Sequence, residues 1–120
     1  FGGKWCVPGG KVEAEDFVGF QKDTSSHWLG VFEKVLEKEV YEEVGLKIRD
    51  IDYVSNLAFV RANGYSTIVV SMFARYQSGD VDLSEDELVD YAWVDIDEAA
   101  NFDLIENIYE QLVLAKKKFC

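Results

Sequence analysis

The residues best placed to do chemistry are three carboxylates, Glu39, Glu42 and Glu43. Around them Trp28, Phe32, Val35, Leu36, Val40 and Val44 recur at helical spacing, which predicts one helix over 26–44. Asp23-Thr24-Ser25-Ser26 reads as its N-cap signal and Gly45 as its stop. At about 100° per residue, Glu42 falls about 300° and Glu43 about 40° from Glu39, so the three acids share an arc of about 100°. Phe32, Val35 and Leu36 fall on the same arc one to two turns earlier, so a face that begins apolar ends acidic. Like charges this close repel, and burying them unpaired is costly. A divalent cation relieves both problems, and hard oxygen donors suit Mg²⁺ or Mn²⁺. The competing reading is a solvated acidic helix end, eased by Lys38 one turn before Glu42.

The neighbouring elements must position these acids. Trp5-Cys6-Val7 is a short apolar run that reads as a strand end, and Pro8-Gly9-Gly10 reads as a tight turn after it. Lys11-Val12-Glu13 adds a short extended piece, and residues 14–27 are mixed. Residues 51–61 and 65–76 are rich in Val, Ile, Tyr and Phe and flank Asn63-Gly64, the signature of a hairpin whose two turn residues both take positive φ. Residues 81–90 form an acidic loop, 91–94 a further short strand, and Asp97-Glu98-Ala99-Ala100 a helical turn. Phe102, Ile105, Ile108, Tyr109, Leu112 and Val113 mark an amphipathic C-terminal helix, with Lys116, Lys117 and Lys118 at its negative end. The pattern is α/β, one layered domain over 1–120 with a mixed sheet.

The run from Trp5 to Glu13 through the Pro-Gly-Gly turn, followed by Lys38-Glu39-Val40-Tyr41-Glu42-Glu43-Val44-Gly45-Leu46, resembles the Nudix hydrolases. Gly10 matches the first glycine of that family's motif. Glu39, Val40, Glu42, Glu43, Gly45 and Leu46 match its second half position by position. Glu87 to Val94 is similar to the family's acidic loop leading into a tryptophan-bearing strand. Three departures stand out. Lys38 replaces the usual arginine, so a planar fork becomes a point charge. Asp16 replaces the first glutamate, and Glu15 stands where a glycine is common. Residues 17–37 number 21 where the motif has seven, an insertion of 21 − 7 = 14 residues.

The resemblance implies a Nudix-like α/β/α sandwich whose first strand or strands are missing from this chain. It also implies hydrolysis of a nucleoside diphosphate derivative by water attacking phosphorus. Glu39, Glu42, Glu43 and the Gly10 carbonyl are the implied ligands of Mg²⁺, with Mn²⁺ an alternative. The implied general base is a motif glutamate, Glu42 or Glu43, or an acid of the later loop. In that loop Glu87, six residues before Trp93, is preferred to Asp90, Glu85 and Asp86. Asp16 would brace the loop. Lys11, beside the glycine turn, and Arg61, near a strand end, are the substrate-phosphate candidates. Pro-Gly-Gly rather than Pro-Ala-Gly leans toward a nucleoside triphosphate over ADP-ribose.

Composition bounds this reading. The chain has 120 residues, 48% of them apolar and 29% charged, enough for one core. Lys plus Arg number 12 and Asp plus Glu 23, so the net charge is 12 − 23 = −11. That argues against nucleic-acid partners and against an anionic membrane surface. A small-molecule nucleotide is the expected partner, with a homodimer possible. Cys6 and Cys120 read as reduced thiols of a cytoplasmic protein. No apolar run approaches the ~20 residues that span a bilayer. Two alternatives stay open: a nucleotide-binding module with the same fold and no turnover, and an acidic interaction domain.

Overall fold

The computed structural model describes residues 3–83 and 88–120. Its elements run α1 (Ala14–Phe17), α2 (Val31–Val44), β1 (Lys47–Val60), β2 (Ser66–Ser78), α3 (Ile96–Ala99) and α4 (Ile108–Phe119). The chain forms two compact units. One draws its described residues from Phe1–Val7, Asp50–Ala74 and Ala92–Cys120, the other from Pro8–Arg49 and Arg75–Tyr91.

The second unit is built on α2. The helix starts at Val31, five residues later than its spacing predicts, because Gly30 is left-handed at φ 61° and breaks the helical path. The Asp23-Thr24-Ser25-Ser26 signal therefore caps no helix. Thr24 Oγ1 instead accepts the His27 N–H at 2.9 Å and closes a turn. The 14 inserted residues lengthen the loop rather than the helix. Ahead of them α1 is a single turn, started where the Glu13 N–H donates to the Asp16 carboxylate at 2.7 Å. The core of this unit is Val40, Val44 and Leu46, with Leu36, Ile48, Val81, Leu83 and Leu88 packed against it. Each fully buried Val or Leu contributes roughly 1.5–3 kcal/mol relative to exposure. On the helix, Leu36, Val40 and Val44 lie at about 60°, 100° and 140° from Glu39. The buried stripe at the end of α2 thus runs beside the acidic arc; Val35, 2% exposed at about 320°, lies on that arc one to two turns earlier, and Phe32 is left 50% exposed.

β1 and β2 pair as a two-stranded hairpin. Its loop differs from the expected two-residue turn. Asn63 keeps a negative φ, and only Gly64 goes left-handed, at 88°. The Gly64 N–H donates to the Arg61 carbonyl at 2.8 Å and the Arg61 N–H to the Tyr65 carbonyl at 2.8 Å. These bonds define a three-residue loop, a type I turn completed by a left-handed glycine. Asn63 Oδ1 takes the Tyr65 N–H at 3.0 Å, which holds Asn63 in that shape.

A mixed sheet does not form among the described residues. The parallel component is a single bridge between Trp5 and Leu104, in which the Trp5 N–H donates to Asp103 at 2.8 Å and the Trp5 carbonyl accepts from Ile105 at 2.9 Å. Pro8, lacking an N–H, follows too closely for that pairing to lengthen. The ring of Trp5 meets Phe102 edge-on at 5.0 Å. Residues 102–105 are used in this way, and Asn107 is left-handed at φ 75°, so α4 starts at Ile108 rather than near Phe102. Residues 91–94 form no strand either, and at their start the Tyr91 N–H donates to the Asp90 carboxylate at 2.8 Å instead of to a neighbouring strand. Within the first unit, α3 is closed by an Asp95–Glu98 capping box and packs on α4. Phe73 of β2 stacks on Phe119 at 4.6 Å, and the Ser55 hydroxyl donates to Gln111. Among the described residues no helix is long and apolar enough to cross a membrane.

Candidate functional site

The glycine turn and the acidic end of α2 come together in the structure. The Gly9 N–H donates to Glu43 Oε2 at 3.3 Å. Gly10 presses on the neighbouring acid: a Cβ at this position would lie 2.7 Å from Glu39 Oε2 and 2.8 Å from its carboxyl carbon. Only a residue without a side chain lets the turn approach Glu39 this closely. Gly9 carries no such demand, since a Cβ there would meet open space. Gly45 ends α2 in a left-handed cap at φ 76°, with its N–H on the Tyr41 carbonyl at 2.9 Å.

Lys38 ties this arrangement to the start of the loop. Its Nζ lies 3.4 Å from Asp16 Oδ1 and 3.8 Å from Glu42 Oε1. The second oxygen of Asp16 holds the Glu13 N–H. One lysine therefore bridges a loop carboxylate, itself anchored to the backbone, and a helix carboxylate. The Asp16 side chain is 16% exposed and that of Glu42 52% exposed, so the pair is strongest at its Asp16 end.

Among the described residues no three His, Cys, Asp or Glu side chains converge as a ready cation cage. The donor set nonetheless suits a hard divalent ion. Carboxylates and a backbone carbonyl are oxygen donors, and the cradle at Gly10, which a Cβ would fill, brings main chain against a carboxylate. His27 takes no part, because its Nδ1 lies 2.9 Å from Thr24 Oγ1 within the loop.

The remaining sequence candidates fall elsewhere. Lys11 is exposed directly after Gly10. Arg61 belongs to the first unit, where its Nε donates to Thr67 Oγ1 at 2.8 Å and its guanidinium lies 5.8 Å from the Phe59 ring centre. Glu87, like Glu85 and Asp86, lies outside the described residues.

Sequence reasoning missed one organising residue. Asp23 Oδ2 accepts the Leu29 N–H at 2.9 Å and the Lys34 ammonium at 3.0 Å. The backbone N–H first, and then Lys34, hold its carboxyl below its ordinary value of 3.8. The available signal was an Asp followed by Thr and Ser, which marks side-chain-closed turns as readily as helix caps.

Comparison with known proteins assigns the chain a family. The family model for the NUDIX domain matches residues 1–114. The NAD-capped RNA hydrolase NudC of Actinobacillus succinogenes is 39% identical over 67 residues, 56% of this chain and 24% of that protein. Its namesake from Mannheimia succiniciproducens is 32% identical over 90 residues, 74% of this chain and 33% of that protein. A third, from Chromobacterium violaceum, is 26% identical over 81 residues, 68% of this chain and 29% of that protein. The matched stretch thus spans about a quarter to a third of these relatives' length.

Proposed function

This chain belongs to the Nudix hydrolase family, and we propose that it hydrolyses the pyrophosphate linkage of a nucleotide with the help of a divalent cation. The observation that carries this reading is the contact of the Gly9-Gly10 turn with Glu43 and Glu39. Glu39, Glu42, Glu43 and the Gly10 carbonyl would hold Mg²⁺ or Mn²⁺. When bound, the ion would neutralise phosphate charge and acidify water. The chain's own residues do the rest. Gly10 sets the distance between turn and helix. Lys38 keeps Glu42 on the loop side of α2 while Asp16 fixes the lysine. Glu43, within reach of the Gly9 N–H, is our choice among the motif glutamates for the proton acceptor, with Glu87 the alternative from the later loop.

Two substrate forms fit the linkage. Pro8-Gly9-Gly10 leans, by family resemblance, toward a nucleoside triphosphate. The relatives' names lean toward the dinucleotide linkage of an NAD cap, so an RNA carrying such a cap belongs among the substrates to test. We read the hairpin and helices as part of a Nudix α/β/α sandwich. The binding-module reading draws on the Lys38 and Asp16 replacements and on the 14-residue insertion. The 3.4 Å contact between Lys38 and Asp16 supports an intact tie between loop and helix instead.

The test is a panel of nucleoside triphosphates, NAD, ADP-ribose and NAD-capped RNA incubated with Mg²⁺, with products resolved by chromatography. At least one should be cleaved at its pyrophosphate, and Glu43→Gln should lower kcat by about a hundredfold or more. Cleavage of none, or an unchanged rate in Glu43→Gln and Glu42→Gln alike, overturns the proposal.

A further inference from the structure

The inserted loop, which the family motif lacks, forms an open depression lined by Phe20, Gln21, Lys22, Asp23 and Lys34. We propose that this depression is a phosphate subsite, engaging a phosphate group of the substrate one nucleotide away from the scissile linkage. The proposal takes its substrate from the hydrolase reading and adds where the rest of that substrate rests.

Four observations carry it. The loop is preorganised: Asp23 fastens Leu29 and Lys34, Thr24 fastens His27, and the Trp28 indole N–H donates to the Phe20 carbonyl at 2.9 Å. Phe17 packs edge-on against the Trp28 ring at 5.3 Å. A loop ordered before binding loses less entropy on binding. Second, its donors suit an anion. Lys22 Nζ lies 5.2 Å from the centre of the Trp28 ring, which steadies the ammonium without consuming its hydrogen-bond donors. Lys34 gives a donor to Asp23 and has two more, and Gln21 adds an amide. Third, Lys34, Lys38 and Glu42 follow at four-residue intervals on one face of α2, at about 220°, 260° and 300° from Glu39. Lys34 and Glu42 are eight residues apart, which is roughly 12 Å along the axis at 1.5 Å per residue. That is the order of length of a nucleoside diphosphate. Fourth, a chain of net charge −11 repels a polyphosphate at long range, and Lys22 and Lys34 supply positive charge that offsets this repulsion locally.

The test uses three adenosine ligands: ADP, ADP carrying a 3′-phosphate, and the 5′-diphosphorylated dinucleotide ppApA. Calorimetry in EDTA gives their affinities for the native chain, Lys22→Gln, and Lys47→Gln as a control for the loss of one exposed positive charge. Lys22→Gln should weaken the 3′-phosphorylated ligands about tenfold and ADP less than twofold, with Lys47→Gln unchanged throughout. With Mg²⁺, phosphate release from 3′-phospho-ADP and ppApA should show KM raised and kcat kept in Lys22→Gln, with both values for ADP within twofold. A loss confined to 3′-phospho-ADP assigns a phosphomonoester, and a loss confined to ppApA assigns a phosphodiester; either supports the subsite. Equal losses for all three ligands, no loss, or an equal loss in Lys47→Gln overturns it. Phosphate-selective loss in a chain that cleaves nothing would sink the hydrolase reading and leave the subsite standing. Cleavage unaffected by Lys22→Gln would do the reverse.

Discussion

A methyl group at Gly10 would land 2.7 Å from Oε2 of Glu39. That oxygen is the far end of a flexible side chain, so the fold can yield by turning the carboxylate away. Gly10→Ala should therefore melt within a few degrees of the native chain while its kcat/KM falls about tenfold or more. Gly9→Ala, facing open space, should stay within twofold. Thermal melts and steady-state rates on the same preparations check both. A second residue-scale prediction concerns Lys38. Its contacts with Asp16 and Glu42 are partly exposed, so Lys38→Ala should cost only about 0.5–1 kcal/mol in a urea titration. Lys38→Arg should recover at least that, because a guanidinium engages Asp16 with two donors where the ammonium lies at 3.4 Å.

At the scale of elements, Asp23 is a carboxylate among the ties of the inserted loop whose titration is displaced. Asp23 is held below its ordinary value of 3.8 by the Leu29 N–H and then Lys34. A depressed carboxyl contributes stability that is fully present above its unfolded value and is lost as pH falls through the folded one. Denaturant midpoints should therefore fall more steeply below about pH 4 in the native chain than in Asp23→Asn. This loop also marks the boundary of what could be read in advance. The motif halves, the hairpin and the existence of α2 were legible because each rests on local chemistry: glycine position, Asn63-Gly64, and apolar spacing. The start of α2 was not, because Gly30 and the Thr24 turn outcompeted a cap signal built from the same residue types. The hairpin loop was misjudged by one residue, since Asn-Gly serves a three-residue loop as well as a two-residue turn. Gly64→Ala, forced to φ 88°, should cost about 1 kcal/mol and leave activity unchanged. The Asp16–Lys38 contact joins residues 22 apart, and no local pattern encodes that.

At the scale of the whole molecule, a net charge of −11 destabilises the compact state by self-repulsion. Any cation, specific or not, will relieve some of it, so a rise in melting temperature with Mg²⁺ is by itself ambiguous. The two effects separate by concentration and by residue. Screening depends on ionic strength, acts over roughly 10 Å at 0.1 M, and is reproduced by NaCl. A bound ion stabilises as the logarithm of its concentration over its Kd, about 2.7 kcal/mol at a hundredfold excess, and saturates its site. At matched ionic strength Mg²⁺ or Mn²⁺ should raise the melting temperature by several degrees beyond NaCl. Glu43→Gln and Glu39→Gln should each remove the excess. Glu15→Gln removes the same charge from an exposed position outside the acidic arc and should keep it. If all three variants respond alike, the acids at the end of α2 are only part of a diffuse negative field. If only the two α2 variants lose the response, the cation is held where Gly10 meets Glu39.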